Sequence, residues 1–248
     1  MKNSYIKKFS TKIKKLTSKV NIKLLAKFSE KVKPIYFDVE GINFKLRDDP
    51  VIKLLFAKRR FKTECQIIKR ILKEGNYFID VGANIGQLTL KASQICKSEG
   101  KVISIEPNLY TYQILLENIN FQRSKSNIMP LNIAISDTNG NCFITNQEKS
   151  HELNYINKND NGGNLVSCLK IDSLDFLKGN KIKILKIDTE GHDMNVLRGA
   201  KELILNTEYL IIELNFDERE QCLNYLSNKG FNIGPIYASP YLHVGEFN

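Results

Sequence analysis

A doubly wound α/β fold built on a mostly parallel sheet is the architecture this sequence predicts, and three observations carry that expectation. From residue 75 onward, short β-rich runs alternate with helical stretches, which is the rhythm of a βαβ series. The first core run, Tyr77–Val81, passes through Gly82 and Gly86 directly into a helix. Such a strand–turn–helix unit receives nucleotide-type ligands at the edge of an open parallel sheet. Acids then close two later runs: Glu106 follows the second, and Asp188 and Glu190 follow the fourth.

Taken in order, the chain begins with a basic arm over residues 1–33. Ile6, Phe9, Ile13, Leu16, Val20, Leu24 and Phe28 recur every three or four positions, with lysines between them, and this predicts an amphipathic helix. Docking on its own domain is the first expectation for that helix, and peripheral contact with an anionic membrane is the second. The arm holds eleven lysines against one acid, Glu30, and so accounts for the whole formal net charge of +10; the remaining residues hold 26 basic and 26 acidic side chains. A neutral body argues against nucleic acid as a partner.

Residues 34–74 read as a lead-in. It holds β-rich runs at Ile35–Val39 and Gly41–Leu46, a basic segment around Lys58-Arg59-Arg60, and a helix from Glu64 to Lys73 that stops at Gly75. Residues 75–248 form the main domain. Its expected strands are Tyr77–Val81, Val102–Ile105, Ile128–Ile133, Ile184–Ile187 and Leu210–Leu214. Its expected helices are Gln87–Cys96, Leu109–Phe121, Met194–Leu205 and Glu218–Asn228. Residues 138–164, rich in Asn and Gly, interrupt this rhythm as a hairpin with a long loop set above the sheet. The five cysteines are scattered without a CxxC pair, so buried thiols are expected rather than a zinc site or a disulfide framework. The chain shows neither a secretory pattern nor an apolar run of roughly 18 residues, and a cytoplasmic location is expected.

The chemistry concentrates in three clusters. In Phe78-Ile-Asp-Val-Gly-Ala-Asn-Ile-Gly-Gln, Gly82 is suited to a positive φ and to close approach of a cofactor. Gly86 lets the start of the helix pack closely on the strand. The spacing departs from the G-x-G-x-x-G of dinucleotide sites. A diphosphate prefers bare N–H groups at a helix N-terminus, whereas S-adenosylmethionine carries an ammonium and a sulfonium. Asp80 beside the turn therefore favours the sulfonium cofactor. Glu106, 24 residues beyond Gly82, can accept ribose hydroxyls of either cofactor; its alternative is an acid capping the next helix. Tyr110 and Tyr112 open that helix, with packing expected before stacking on adenine. In Ile184-Leu-Lys-Ile-Asp188-Thr-Glu190-Gly191-His192-Asp193, Asp188, Glu190 or His192 can take a proton from an attacking hydroxyl. The same acids and His192 can instead hold a divalent metal, or simply stabilise a helix start; no resident metal is expected. His151 and Glu152 of the insertion are weaker candidates, read as surface residues.

DVGANIG, IEPN, NIAISD and LKIDTEGHDMNVLRGA with LIIEL beyond it together resemble the FkbM-type family of class I S-adenosylmethionine-dependent methyltransferases, over roughly residues 75–235. The resemblance implies a seven-stranded, Rossmann-like sheet and O-methylation of a hydroxyl on a sugar, glycan or other small molecule. It implies that Asp80, Gly82, Ala83, Asn84 and Gly86 line the methionine end of the cofactor. Glu106 would hold the ribose, with Pro107 and Asn108 also in the cofactor site, and Ala134 to Asp137 would lie near the adenine. Asp188 and Glu190 match the family's D-x-E-G. An NAD-dependent oxidoreductase and a non-catalytic cofactor- or membrane-binding module are the competing readings.

Overall fold

The computed structural model describes residues 35–39, 42–46, 51–122, 127–144, 156–157, 163–214, 217–236 and 239–247. The expected arm, and His151 and Glu152, lie outside the described residues.

A hairpin of β1 (Ile35–Val39) and β2 (Ile42–Leu46) leads into helix α1 (Val51–Ile71). There follow β3 (Tyr77–Val81), α2 (Gln87–Cys96), β4 (Lys101–Ile105), α3 (Leu109–Phe121) and β5 (Ile128–Leu131). A smaller unit contains β6 (Ala134–Ile135), β7 (Gly140–Ile144), β8 (Ile156–Asn157) and β9 (Asn164–Leu169). The chain returns through β10 (Ile182–Ile187), α4 (Asp193–Gly199), β11 (Thr207–Glu213) and α5 (Arg219–Asn228), then closes with β12 (Phe231–Ile236) and β13 (Ser239–Phe247).

The main sheet has seven strands in the order β12-β13-β11-β10-β3-β4-β5. β13 lies between β11 and β12 and runs antiparallel to both; the other pairs are parallel. Both faces are covered. Phe78, Val102, Ile184 and Ile211 pack towards α1, α2 and α3, against Phe61, Ile68, Leu88 and Leu115. Ile79, Ile103, Leu185 and Leu210 pack on the opposite side, against Val196 and Leu197 of α4 and Leu226 of α5. This two-sided burial is why the strands read as continuous apolar runs rather than alternating ones. Each such side chain contributes roughly 1.5–3 kcal/mol relative to exposure. The hairpin joins the first layer through Ile42 and Phe44, with the Phe44 ring edge-on to Phe61 at 5.9 Å.

The elements differ from expectation at definable points. Helix α1 begins at Val51 and not at Glu64, because residues 51–71 contain neither Gly nor Pro and the basic segment continues the helix. The expected strand to Ile133 ends at Leu131, and the expected helix Met194–Leu205 ends at Gly199. Gly199 lies against the Ser136 carbonyl, where a Cβ would come within 2.0 Å. Asp172 then accepts from the Glu202 and Leu203 amides at 3.0 and 2.9 Å, which starts a separate 3₁₀ turn at Leu203–Asn206. Residues 138–164 contribute to a four-stranded sheet, β6-β9-β7-β8, and are thus more than a hairpin with a loop. Strands β12 and β13 were legible only through the family resemblance. All five cysteines are buried and none is in a disulfide. Among the described residues no helix is long and apolar enough to cross a membrane.

Candidate active site

Parallel strands β3, β4, β10 and β11 end together, and their C-terminal ends carry the candidate residues. The turn after β3 puts Gly82, Asn84 and Gly86 at φ 76°, 51° and 91°. Two different contacts require the glycines. A Cβ on Gly82 would stand 1.9 Å from the Asp188 carbonyl oxygen, so the closest approach to this backbone is by the protein's own β10 end. A Cβ on Gly86 would meet Leu115 of α3 at 2.6 Å. Gly86 therefore admits the neighbouring helix, which corrects the expected packing on the strand. The Gly82 and Ala83 amides donate to the Ile105 carbonyl at 3.0 and 2.9 Å, which fastens the turn to the end of β4.

Glu106 is buried at that end. One carboxylate oxygen accepts from the Asn84 amide and the other from the Asn108 amide, both at 2.9 Å. Each oxygen retains acceptor capacity for a hydroxyl. Burial pushes the Glu106 carboxyl up to about 7, against the lowering effect of the two amides and of Lys186. The cap of α3 is Asn108, whose side-chain oxygen accepts from the Thr111 amide at 3.1 Å; Glu106 does not cap it. The Pro107 carbonyl accepts from the Asn132 side chain at 3.0 Å. Tyr112 is half-buried against the core, with its hydroxyl 3.4 Å from the Pro130 carbonyl.

Asp80 is buried and already engaged. It accepts from the Thr89 hydroxyl at 2.7 Å and pairs with the Lys186 ammonium at 3.1 Å. Sequence reading passed over Lys186. The available signal was a lysine in an apolar strand covered on both faces, since a buried cation needs a partner.

At the ends of β10 and β11, Asp188, Glu190 and Glu213 bring carboxylate oxygens within 4.8 Å of one another. Ile212 is in register with Ile187, so the next residue, Glu213, stands beside Asp188. Glu213 was also passed over; the signal was an acid closing the strand in LIIEL. Three such carboxylates form a donor set that a hard divalent cation accepts. His192 is not part of this group. Its Nε2 lies 2.9 Å from the Ser136 hydroxyl and its Nδ1 3.3 Å from the Asn195 amide nitrogen. Because Ser136 donates to Asp137 at 3.3 Å, the network assigns the proton to Nε2 and the acceptor role to Nδ1. Ala134 is buried against Cys142 and Cys168. Asp193 turns inward to accept from the Thr189 hydroxyl and amide at 2.7 and 3.0 Å. Burial pushes its carboxyl up to about 6.

A model of the methyltransferase FkbM domain matches residues 80–233, more than half of the chain. The chain belongs to the FkbM methyltransferase family. It is 27% identical over 171 residues to the hexuronic acid methyltransferase AglP of Haloferax volcanii, covering 66% of this chain and 67% of that one. It is 31% identical over 100 residues to a tRNA(Phe) (4-demethylwyosine(37)-C(7)) aminocarboxypropyltransferase of Pyrococcus horikoshii, covering 40% and 34%. The crystal structure of methyltransferase FkbM from Methylobacillus flagellatus superposes with a TM-score of 0.50 at 15% identity, over 75% of this chain and 51% of that chain. This chain thus spans about half of that solved relative, and the likeness establishes the fold.

The residues present fit a cationic methyl donor better than a diphosphate. Glu106, Asp188, Glu190 and Glu213 border the turn, while Asp80 beneath it is paired with Lys186. Excess negative charge attracts an ammonium and a sulfonium and repels phosphate.

Proposed function

We propose that this chain transfers a methyl group from S-adenosylmethionine to a hydroxyl of a sugar or glycan. The observation that carries the reading is the convergence of Asp188, Glu190 and Glu213 beside the turn after β3. An uncharged hydroxyl suits three clustered carboxylates better than an anionic oxygen, since like charges at this range repel. The likeness to a hexuronic acid methyltransferase supports a sugar as the acceptor class.

S-adenosylmethionine, when bound, supplies an electrophilic methyl group. Glu106 accepts hydrogen bonds from ribose hydroxyls, and the Gly82–Gly86 turn lines the methionine end. Asp137 borders the adenine side, where Ala134 is too deeply buried to offer more than support. One carboxylate of the trio takes the acceptor proton as its oxygen attacks, and holding the two reactants in line supplies much of the acceleration. His192, with both ring nitrogens engaged, orients the turn that carries Glu190.

The test is incubation of the purified protein with isotopically labelled S-adenosylmethionine and two acceptor panels, neutral glycosides and hexuronosides. Labelled sugar is expected, together with stoichiometric S-adenosylhomocysteine. Methyl transfer to neither panel would overturn the sugar reading, and no binding of S-adenosylmethionine would overturn the whole.

A further inference from the structure

Lys186 lies under the donor turn, on the face of the sheet covered by α1, α2 and α3. Its register neighbour is Asp80 on β3, which is in turn opposite Ser104 on β4. Across β10, β3 and β4 this row is polar, while Ile211 continues it on β11. The Lys186 side chain is 7% exposed. Its ammonium donates to the Gly82 carbonyl at 2.7 Å and stands 3.1 Å from Asp80 and 3.6 Å from Asp188.

A buried ammonium persists only where its charge and its protons are both met. Asp80 would suffice for the charge alone. The shortest of the three contacts, however, goes to Gly82, whose conformation sets the turn. Gly82 also abuts the Asp188 carbonyl, leaving no room for a Cβ. The same ammonium thus fastens the turn to the end of β10 from below, while the Ile105 carbonyl fastens it to β4.

We propose that Lys186 is a positioning residue for the methyl donor. It acts through the Gly82 carbonyl and the Asp188 carboxylate, holds the turn and the proton-accepting end of β10 in one frame, and keeps Asp80 as its own counter-ion. This rests on reading the site as one for S-adenosylmethionine. The rival account makes Lys186 a counter-ion for Asp80 and nothing more.

Calorimetry with S-adenosylhomocysteine, paired with thermal unfolding, separates the two. Wild-type protein that fails to bind this probe defeats the donor-site reading itself, independently of Lys186. If the wild type binds, Lys186→Met is expected to weaken binding at least about tenfold, as for loss of a charged hydrogen bond. It also strands the Asp80 charge and lowers the melting temperature. The double variant Asp80→Asn/Lys186→Met removes both charges. Recovery of melting temperature with the tenfold weakening retained, where Asp80→Asn alone binds nearly as the wild type, supports the proposal; recovery of both overturns it. Should the Met variants fail to fold, Asp80→Asn decides, because it leaves the bond to Gly82 in place. Weakening of less than about fivefold supports the proposal, and any larger loss makes Asp80 the direct partner of the donor and overturns it.

Discussion

The donor side of the site and its acceptor side are built differently. The donor side is a contiguous turn whose shape is set by backbone: positive φ at three residues, amides held by the Ile105 carbonyl, and a buried Glu106 bound by two further amides. The acceptor side is a half-exposed group of carboxylates from two strands, flanked by a His192–Ser136 link to the smaller sheet. The first tolerates few residues at its glycines, because a Cβ at Gly82 would collide with main chain and one at Gly86 with Leu115. The second depends on charge and reach, so its variants should fold and fail at chemistry.

The largest effect that sharpens this contrast is expected at Gly82. Gly82→Ala places a Cβ against the Asp188 carbonyl at a strained φ, and destabilisation of about 3 kcal/mol or more is expected. A near-wild-type melting curve would break the claim that backbone shape governs the donor side. Next come the carboxylates. Among Asp188→Asn, Glu190→Gln and Glu213→Gln, the variant of the proton acceptor should lose roughly 10²–10⁴-fold in turnover while binding S-adenosylhomocysteine within a few-fold of wild type. Equal turnover in all three would remove the trio from the chemistry. Chelation should leave turnover unchanged; loss with EDTA and recovery with Mg²⁺ would make the trio a metal site.

A smaller effect is expected at Glu106. Glu106→Ala should weaken donor binding by about 1–3 kcal/mol, through lost bonds to a charged acceptor. The wild type adds a pH signature. With the folded carboxyl raised from 4.5 to about 7, the protonated form predominates below about 7, so donor affinity should fall as pH is lowered through that value. The donor-free fold behaves oppositely: the contribution of Glu106 to stability is full below the unfolded value and is lost as pH rises through about 7. Affinity that is flat between pH 6 and 8 would break this assignment. The smallest effect is expected for Asn195→Ala, which removes the partner of His192 Nδ1. Acceptor KM should rise a few-fold with donor affinity unchanged; a change confined to donor binding would place His192 on the wrong side of the comparison.

Legibility in the sequence followed the same division. Strand Tyr77–Val81 and helices Gln87–Cys96 and Leu109–Phe121 fold with the ends that periodicity and turn residues mark. The helix expected over Met194–Leu205 stops early where distant groups intervene, the Ser136 carbonyl at Gly199 and Asp172 at Leu203. Strands β12 and β13 escaped because Gly234, Pro235 and Pro240 interrupt their pattern, and pairing of β13 with β11 and of β12 with β13 supplies what local propensity lacks. Asp80 looked like a ligand group because only its position beside the turn was visible; the lysine that neutralises it comes from β10.

Sequence alone determined the succession from β3 through α3, the Gly82–Gly86 turn and the acids that close the strands, because hydrophobic period and φ demands act between near neighbours. Tertiary structure decided which of those groups meet. Lys186 reaches Gly82 across 104 residues and His192 reaches Ser136 across 56. Such contacts depend on strand order and register in the folded sheet, and no local pattern encodes them.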